Sequence, residues 1–296
     1  SPPMSLHRRT PSLPWFERMA ARGNVIPLAR RLMSDQLTPV LAYRRLVAPD
    51  QRDAPSFLFE SVDTTGNVGR NSYLSAQPSL EVLAHGFEVT VIDHVRGTRQ
   101  VTHENDPFAV MKRLTAGWKL AIDDEREGPS YFRGGWVGYA GYDCMRYQDR
   151  EKLPFSAAPA DDRGLPDLHM GLYRDVAIFD HVEKILHAVH HVVLAEHASV
   201  EAAYHTGMGR LDDFVRRLET HAAIPLPPGV VELDLSQIPT AAMTGNFTPP
   251  QFEAAVLKVK SYIAAGDAFQ VVLSQRMTRV TEADPFEIYR ALRIVN

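Results

Sequence analysis

A chain of 296 residues with 45% hydrophobic and 23% charged side chains has the composition of a globular protein of one large or two medium domains, which excludes a disordered or fibrous class. The formal net charge of −4 and the pI near 6.3 leave no basic footprint for nucleic acid. Cys144 is the only cysteine, which excludes an internal disulfide and a thiolate metal cluster within one chain.

The first residues carry no apolar h-region, and no later run approaches the ~20 apolar residues of a membrane helix, so the sequence predicts a cytoplasmic protein with no membrane partner. Residues 1–30, polar and proline-rich with Met4 behind Ser-Pro-Pro, read as an N-terminal extension. A first domain is expected over 31–223. Within it Leu41–Val47 predicts a short helix and Ser56–Glu60 a short buried strand, and Thr64–Asn67 marks a turn. Tyr73–Ser75, Leu80–Leu83 and Val89–Ile92 continue as strands, and Asp106-Pro107 starts a helix through Phe108, Met111 and Leu114.

Gly134-Gly-Trp-Val-Gly-Tyr-Ala-Gly141 lacks both the Gly-Lys-Ser/Thr ending of a P-loop and a Gly-x-Gly-x-x-Gly spacing, so it reads as a strand that another backbone approaches closely. Val176–Phe179 and Ile185–Leu194, joined by Asp180–Lys184, predict a hairpin. A helix follows with Tyr204, Met208, Leu211, Val215 and Leu218 as its apolar stripe, despite Gly207 and Gly209. Ile224-Pro-Leu-Pro-Pro-Gly229 favours extended backbone, placing a linker over 224–246.

A second domain is expected to begin at 247. Thr248, Pro249 and Gln251 form a capping box, Phe252, Val256, Val259 and Ile263 make one helical face, and Gly266 supplies the left-handed stop. Asp267–Arg276 then predicts a buried strand. Asp284, Pro285 and Glu287 open another helix, whose apolar face of Ile288, Ala291, Leu292 and Val295 reaches Asn296 without a closing cap. The expectation is a chain that stops inside this domain.

Three histidines invite a metal reading. On a strand His187 and His191 share a face about 13 Å apart and His190 points the other way, so they cannot hold one ion together. On a helix His187 and His191 would meet within one turn, which leaves that alternative open. Arg70 suits either a ligand carboxylate or solvent, and Gln270, Ser274 and Gln275 suit either a substrate or neighbouring backbone groups.

Several of these stretches, in order along the chain, resemble one family. They are Phe57-Leu-Phe-Glu-Ser-Val-Asp63 with Gly69, Arg70 and Ser72, then Gly134 to Asp143, then Leu165-Pro-Asp167 with Phe179-Asp-His181, then Gly266-Asp-Ala-Phe-Gln-Val-Val-Leu-Ser-Gln-Arg276. Tyr289-Arg-Ala-Leu-Arg293 follows and leads to Asn296. Together they resemble the N-terminal part of anthranilate synthase component I, a chorismate-utilising family, over nearly the whole chain.

The resemblance implies an α+β fold in which orthogonal antiparallel β-sheets carry helices outside. It also implies a reaction: ammonia from a glutamine amidotransferase subunit adds to Mg²⁺-bound chorismate, and loss of the 4-hydroxyl and then of pyruvate leaves anthranilate for tryptophan biosynthesis. The family's catalytic and metal-binding residues fall beyond Asn296, so no catalytic residue and no Mg²⁺ ligand carries over. What does carry over is the feedback site for L-tryptophan, with Glu60 and Ser61 as inhibitor-binding residues by their place in the motif. A carboxylate for the ammonium and a hydroxyl for the carboxylate are the right types at the end of an apolar strand. Asn71 departs from the family, which has an aromatic residue between the Arg and the Ser of this turn.

The Gln-Val-Val-Leu-Ser wording favours anthranilate synthase over aminodeoxychorismate synthase component I of the folate pathway, which is the alternative enzyme. The alternative from another class is a non-catalytic module that binds tryptophan or a partner.

Overall fold

Along Val176-Ala-Ile-Phe179 the side chains alternate across the sheet plane, yet all four are buried, so this strand needs cover on both faces. The computed structural model, which describes residues 11–47, 54–61, 69–123, 132–220 and 243–295, shows what supplies that cover. The chain divides into two compact units, Ser1–Pro227 and Pro228–Asn296.

In chain order the first unit contains α1 (Leu13–Ala20), β1 (Val25–Met33), α2 (Pro39–Val47), β2 (Phe57–Phe59), β3 (Asn71–Ser75), β4 (Leu80–His85), β5 (Glu88–Asp93) and β6 (Thr98–His103). It continues with α3 (Pro107–Leu114), β7 (Gly135–Ala140), α4 (Met145–Gln148), β8 (Leu168–Tyr173), β9 (Asp175–Asp180), β10 (Ile185–Val193) and α5 (Val200–Glu219). The strands form two five-stranded sheets, ordered β1-β10-β9-β3-β2 and β6-β5-β4-β8-β7, and every pairing within them is antiparallel.

Three apolar clusters stack these layers. Helices α1, α2 and α5 press Phe16, Met19, Leu46, Leu211, Phe214 and Leu218 onto Ala177, Phe179, Leu186, Ala188 and Val192 of the first sheet. Its other face sends Phe57, Val176, Ile178 and Val189 against Val137 and Tyr173 of the second sheet. The far side of that second sheet buries Val82, Ala84, Val89 and Leu168 with Val110 of α3 and Tyr147 of α4. The expected α+β class with antiparallel sheets is therefore what the chain forms.

Most expected elements are present, and the exceptions have physical causes. Residues 11–30 are no appendage: Phe16, Ile26 and Leu28 are fully buried, because Pro14 starts an amphipathic helix rather than breaking one. Helix α2 starts at Pro39, two residues before the expected start, where Thr38 Oγ1 accepts the Leu41 N–H at 3.2 Å. Two strands had no signal in the sequence. β6 is exposed at every position and β8 is interrupted by His169 and Gly171, so neither shows apolar alternation. The expected turn at Thr64–Asn67 and most of the expected linker over 224–246 lie outside the described residues.

In the second unit β11 (Thr244–Gly245) pairs with β12 (Met277–Thr278), and helices α6 (Pro249–Ala265) and α7 (Pro285–Val295) lie in the same stretch. The capping box is there, with the Thr248 N–H donating to Gln251 Oε1 at 2.9 Å, and Gly266 closes α6 at φ 82°. Asp284 Oδ1 accepts the Phe286 N–H at 2.8 Å at the start of α7. Asp267–Arg276, expected as a buried strand, is neither a strand nor buried. A strand needs a hydrogen-bonded neighbour and cover for its apolar face. Among the described residues this unit offers only the two-residue β11, which pairs beyond Arg276.

The stripe of α5 holds at Leu211, Val215 and Leu218 and shifts in the first half of the helix, where Ala203 and Gly207 are buried and Tyr204 and Met208 are half-buried beside them; Phe214 is buried as well. Gly207 is at the contact point: a Cβ there would stand 2.4 Å from Val192 Cγ2 and 2.9 Å from Leu28 Cδ1. Gly209 has open space around it. Alanine stabilises a helix by roughly 1 kcal/mol over glycine, whereas overpacking a stiff β-branched neighbour costs about 1–3 kcal/mol. Gly209→Ala is therefore expected to raise the urea midpoint and Gly207→Ala to lower it. Equal shifts of the same sign would show that α5 does not rest on β1 and β10 through this glycine.

Candidate amino-acid site

Strand β2 pairs with β3 so that Phe59 faces Tyr73, which places Glu60 and Ser61 where Asn71 and Ser72 enter β3. Glu60 is half-buried, Ser61 is exposed, and the Phe59 ring beside them is 50% exposed. Deeper in, the Phe57 ring meets Tyr173 edge-on at 4.8 Å, closing the floor of the strand with aromatic contacts. The two residues expected to bind an amino acid thus sit at a sheet end, between a buried apolar layer and solvent.

The rim around them is held by polar groups of β3, β9 and the residues flanking them. Ser72 is buried and its Oγ is 2.7 Å from His181 Nε2. Arg70 donates to Asp180 Oδ2 through Nε at 2.9 Å and Nη2 at 2.6 Å, so this arginine is engaged by a carboxylate of the protein itself. Asp180 Oδ1 accepts the N–H groups of Val182 and Glu183 at 3.0 Å each, which pins the turn from β9 to β10. Burial by itself pushes the Asp180 carboxyl up, but the Arg70 contacts and the two turn N–H groups outweigh it and hold the group below the usual carboxylate range. Asn71 has a buried Oδ1 with no hydrogen-bond partner among the described residues.

The remaining candidates separate. His187, His190 and His191 lie on β10, so the helical metal alternative falls. His190 Nδ1 is 2.6 Å from Asp175 Oδ1, and His191 Nδ1 is 2.9 Å from the Arg174 carbonyl. Gly134 to Gly141 runs into strand β7, as expected, and a Cβ on Gly138 would stand 1.9 Å from the His169 carbonyl oxygen. That contact is the close backbone approach the glycines imply. Gln270, Ser274 and Gln275 fall in the segment without a sheet.

One buried ionic cluster had no forewarning in the sequence. Glu81 of β4, 3% exposed, accepts from His94 Nε2 at 2.5 Å and from His169 Nε2 at 2.7 Å. Its only signal was an acidic residue inside an otherwise apolar strand. Burial alone would raise the Glu81 carboxyl, yet the His169 and His94 hydrogen bonds and charges outweigh it and hold the group below its ordinary value of 4.5.

The sequence profile of the chorismate binding enzyme family matches residues 55–296. The chain belongs to this family. It is 46% identical over 284 residues to "Anthranilate synthase alpha subunit 2, chloroplastic" of Arabidopsis thaliana, a match covering 95% of this chain and 45% of that protein. It is 36% identical to "Anthranilate synthase component 1" of Pseudomonas aeruginosa over 286 residues, covering 95% and 54%. The crystal structure of anthranilate synthase component I from Streptococcus pneumoniae TIGR4 is similar with a TM-score of 0.57 at 26% identity, covering 90% of this chain and 53% of that one. The chain spans about half the length of these relatives.

In this chain no group of three or more His, Cys, Asp or Glu among the described residues is placed to hold a metal ion. These residues do not fit Mg²⁺, and no step assigned to them passes through it. No described helix is long and apolar enough to cross a membrane.

The Glu81 cluster makes a pH-dependent contribution. A carboxyl held below its ordinary value stabilises the fold above that value and loses the contribution as pH falls through the folded-state pKa. Glu81→Gln is expected to cost about 1–3 kcal/mol at pH 7, by weakening two charge-assisted hydrogen bonds in a buried place. Urea midpoints of the two proteins should converge as pH drops below 4.5. A gap that stays constant down to pH ~3 would show that the carboxylate charge contributes nothing.

Proposed function

We propose that this chain is part of an anthranilate synthase large subunit regulated by L-tryptophan. The observation that carries the reading is the 46% identity to a plant anthranilate synthase alpha subunit across 95% of the chain. In the complete enzyme chorismate and ammonia give anthranilate, pyruvate and water. A glutamine amidotransferase subunit supplies the ammonia, and Mg²⁺, as a cofactor of that complete enzyme, would neutralise the chorismate carboxylate. The 296-residue chain alone is then inactive, a reading supported by the exposed Asp267–Arg276 segment, which forms no strand. A cytoplasmic location belongs to the same proposal, supported by a single buried cysteine suited to a reducing compartment.

Tryptophan is assigned to the end of β2, with Glu60 accepting its ammonium, Ser61 donating to its carboxylate and Phe59 offering an aromatic contact. The unpartnered Asn71 Oδ1 at this rim supports a ligand that brings N–H donors.

In the complete large subunit with its amidotransferase, chorismate and glutamine are expected to yield fluorescent anthranilate. Accumulation of an aminodeoxychorismate would overturn the assignment. Ser61→Ala is expected to raise the tryptophan concentration for half-inhibition by roughly tenfold, or 1.4 kcal/mol, while kcat changes less than about twofold. Unchanged inhibition in steady-state assays would remove Ser61 from the site.

A further inference from the structure

A cavity of about 600 Å³ opens in the first unit away from Glu60 and Ser61. The strand register separates the two places. Phe59 lies in one row with Tyr73, Ile178 and His187, Glu60 is one step beyond that row, and His191, which lines the cavity, is four residues the other way along β10. With three strand spacings between β2 and β10, the separation is on the order of 20 Å.

The walls combine large aromatic faces with cationic and neutral polar groups. Trp118, Trp136 and Tyr173 line the cavity along with Arg133, Arg174 and His191, and none of the lining side chains among the described residues is acidic. The Arg174 guanidinium stands 5.5 Å from the centre of the Trp118 ring, and its Nη atoms are bonded to Glu196 at 2.5 and 2.6 Å. The Arg174 Nε and the Trp136 Nε1 are buried without any hydrogen-bond partner among the described residues. A buried orphan N–H is unfavourable, so two of them beside one cavity favour an occupant that accepts hydrogen bonds.

His191 adds the opposite polarity. A carbonyl can only accept, so Nδ1 carries the proton toward Arg174 and Nε2 keeps a lone pair. Burial pushes the imidazolium down to about 4, and the ring is neutral at pH 7. Gly134 makes room for this ring, because a Cβ at that position would stand 2.8 Å from His191 Cε1.

We propose that this cavity is a second small-molecule site, which takes a planar aromatic carboxylate of one or two rings. The ring lies against Trp118 and Trp136, the carboxylate meets Arg133 and the unpartnered N–H groups of Trp136 and Arg174, and a ring N–H or O–H donates to His191 Nε2. A volume of this size holds a two-ring ligand, and aromatic walls with a few convergent polar groups are what such ligands bind.

The test uses the 296-residue chain with indole-3-carboxylate as probe and its uncharged amide as the control. Calorimetry is expected to give a Kd below about 1 mM for the acid and binding at least roughly tenfold weaker for the amide. In a ¹⁵N spectrum the Trp136 indole N–H should move downfield, while that of Trp15, already bonded to Asp123 at 2.7 Å, stays in place. Ile122 lines the cavity and is 54% exposed, so Ile122→Trp fills the space at little risk to the fold. That variant should weaken the acid by roughly tenfold with unchanged melting temperature, Arg133→Gln should weaken it to a similar extent, and Glu60→Ala should have no effect. Absence of binding at millimolar probe, equal affinity for acid and amide, or binding lost in Glu60→Ala but kept in Ile122→Trp would each overturn the proposal.

Discussion

The β9–β10 hairpin has no face to show to water. Ala177, Phe179, Leu186, Ala188 and Val192 are covered by helices, and Val176, Ile178 and Val189 by the second sheet. With both faces committed, the hairpin can carry polar chemistry only at its two ends. At one end Asp180 binds the turn N–H groups and Arg70, beside the strand end that carries Glu60 and Ser61. At the other, Asp175, His190, His191 and Arg174 gather next to the aromatic cavity. The positions of both candidate sites follow from one packing constraint.

Three buried polar groups in this unit solve the same desolvation problem differently. Asp180 stays ionised because a guanidinium and two backbone N–H groups face it, and Glu81 does so between two histidines. His191 has no counter-charge that wins over burial, so it gives up its proton and bonds to a carbonyl instead. The outcome depends on the donors within reach rather than on burial alone.

How much of this was legible in the sequence depended on where the information lay. Asp106-Pro107, the Thr248–Gln251 box and Gly266 were readable because capping is local chemistry between residues a few positions apart. The β9–β10 hairpin was readable because two apolar runs flank a short polar turn. Strands β6 and β8 were not, since one is wet on all sides and the other relies on neighbours far along the chain for its cover. The Asp267–Arg276 segment shows the opposite failure: strong strand propensity without a partner does not make a strand. At the candidate site Glu60 and Ser61 were named through resemblance alone. The Arg70–Asp180 pair behind them joins residues of different strands, which no local pattern reveals.

The pairing of β1 with β10 joins Val25 to Val193 and so encloses most of the first unit. The β4–β5–β6 meander, by contrast, closes through short turns at Gly86 and Gly97. Loop-closure entropy rises with the length enclosed, so during folding the meander can assemble early and alone, whereas α1 and β1 must wait for the far end of the unit to be in place. The order of synthesis works in the same direction. Residues 11–33 leave the ribosome before the rest of this unit's sheet but find their sheet partner last, and until then Trp15, Phe16, Ile26 and Leu28 remain without cover.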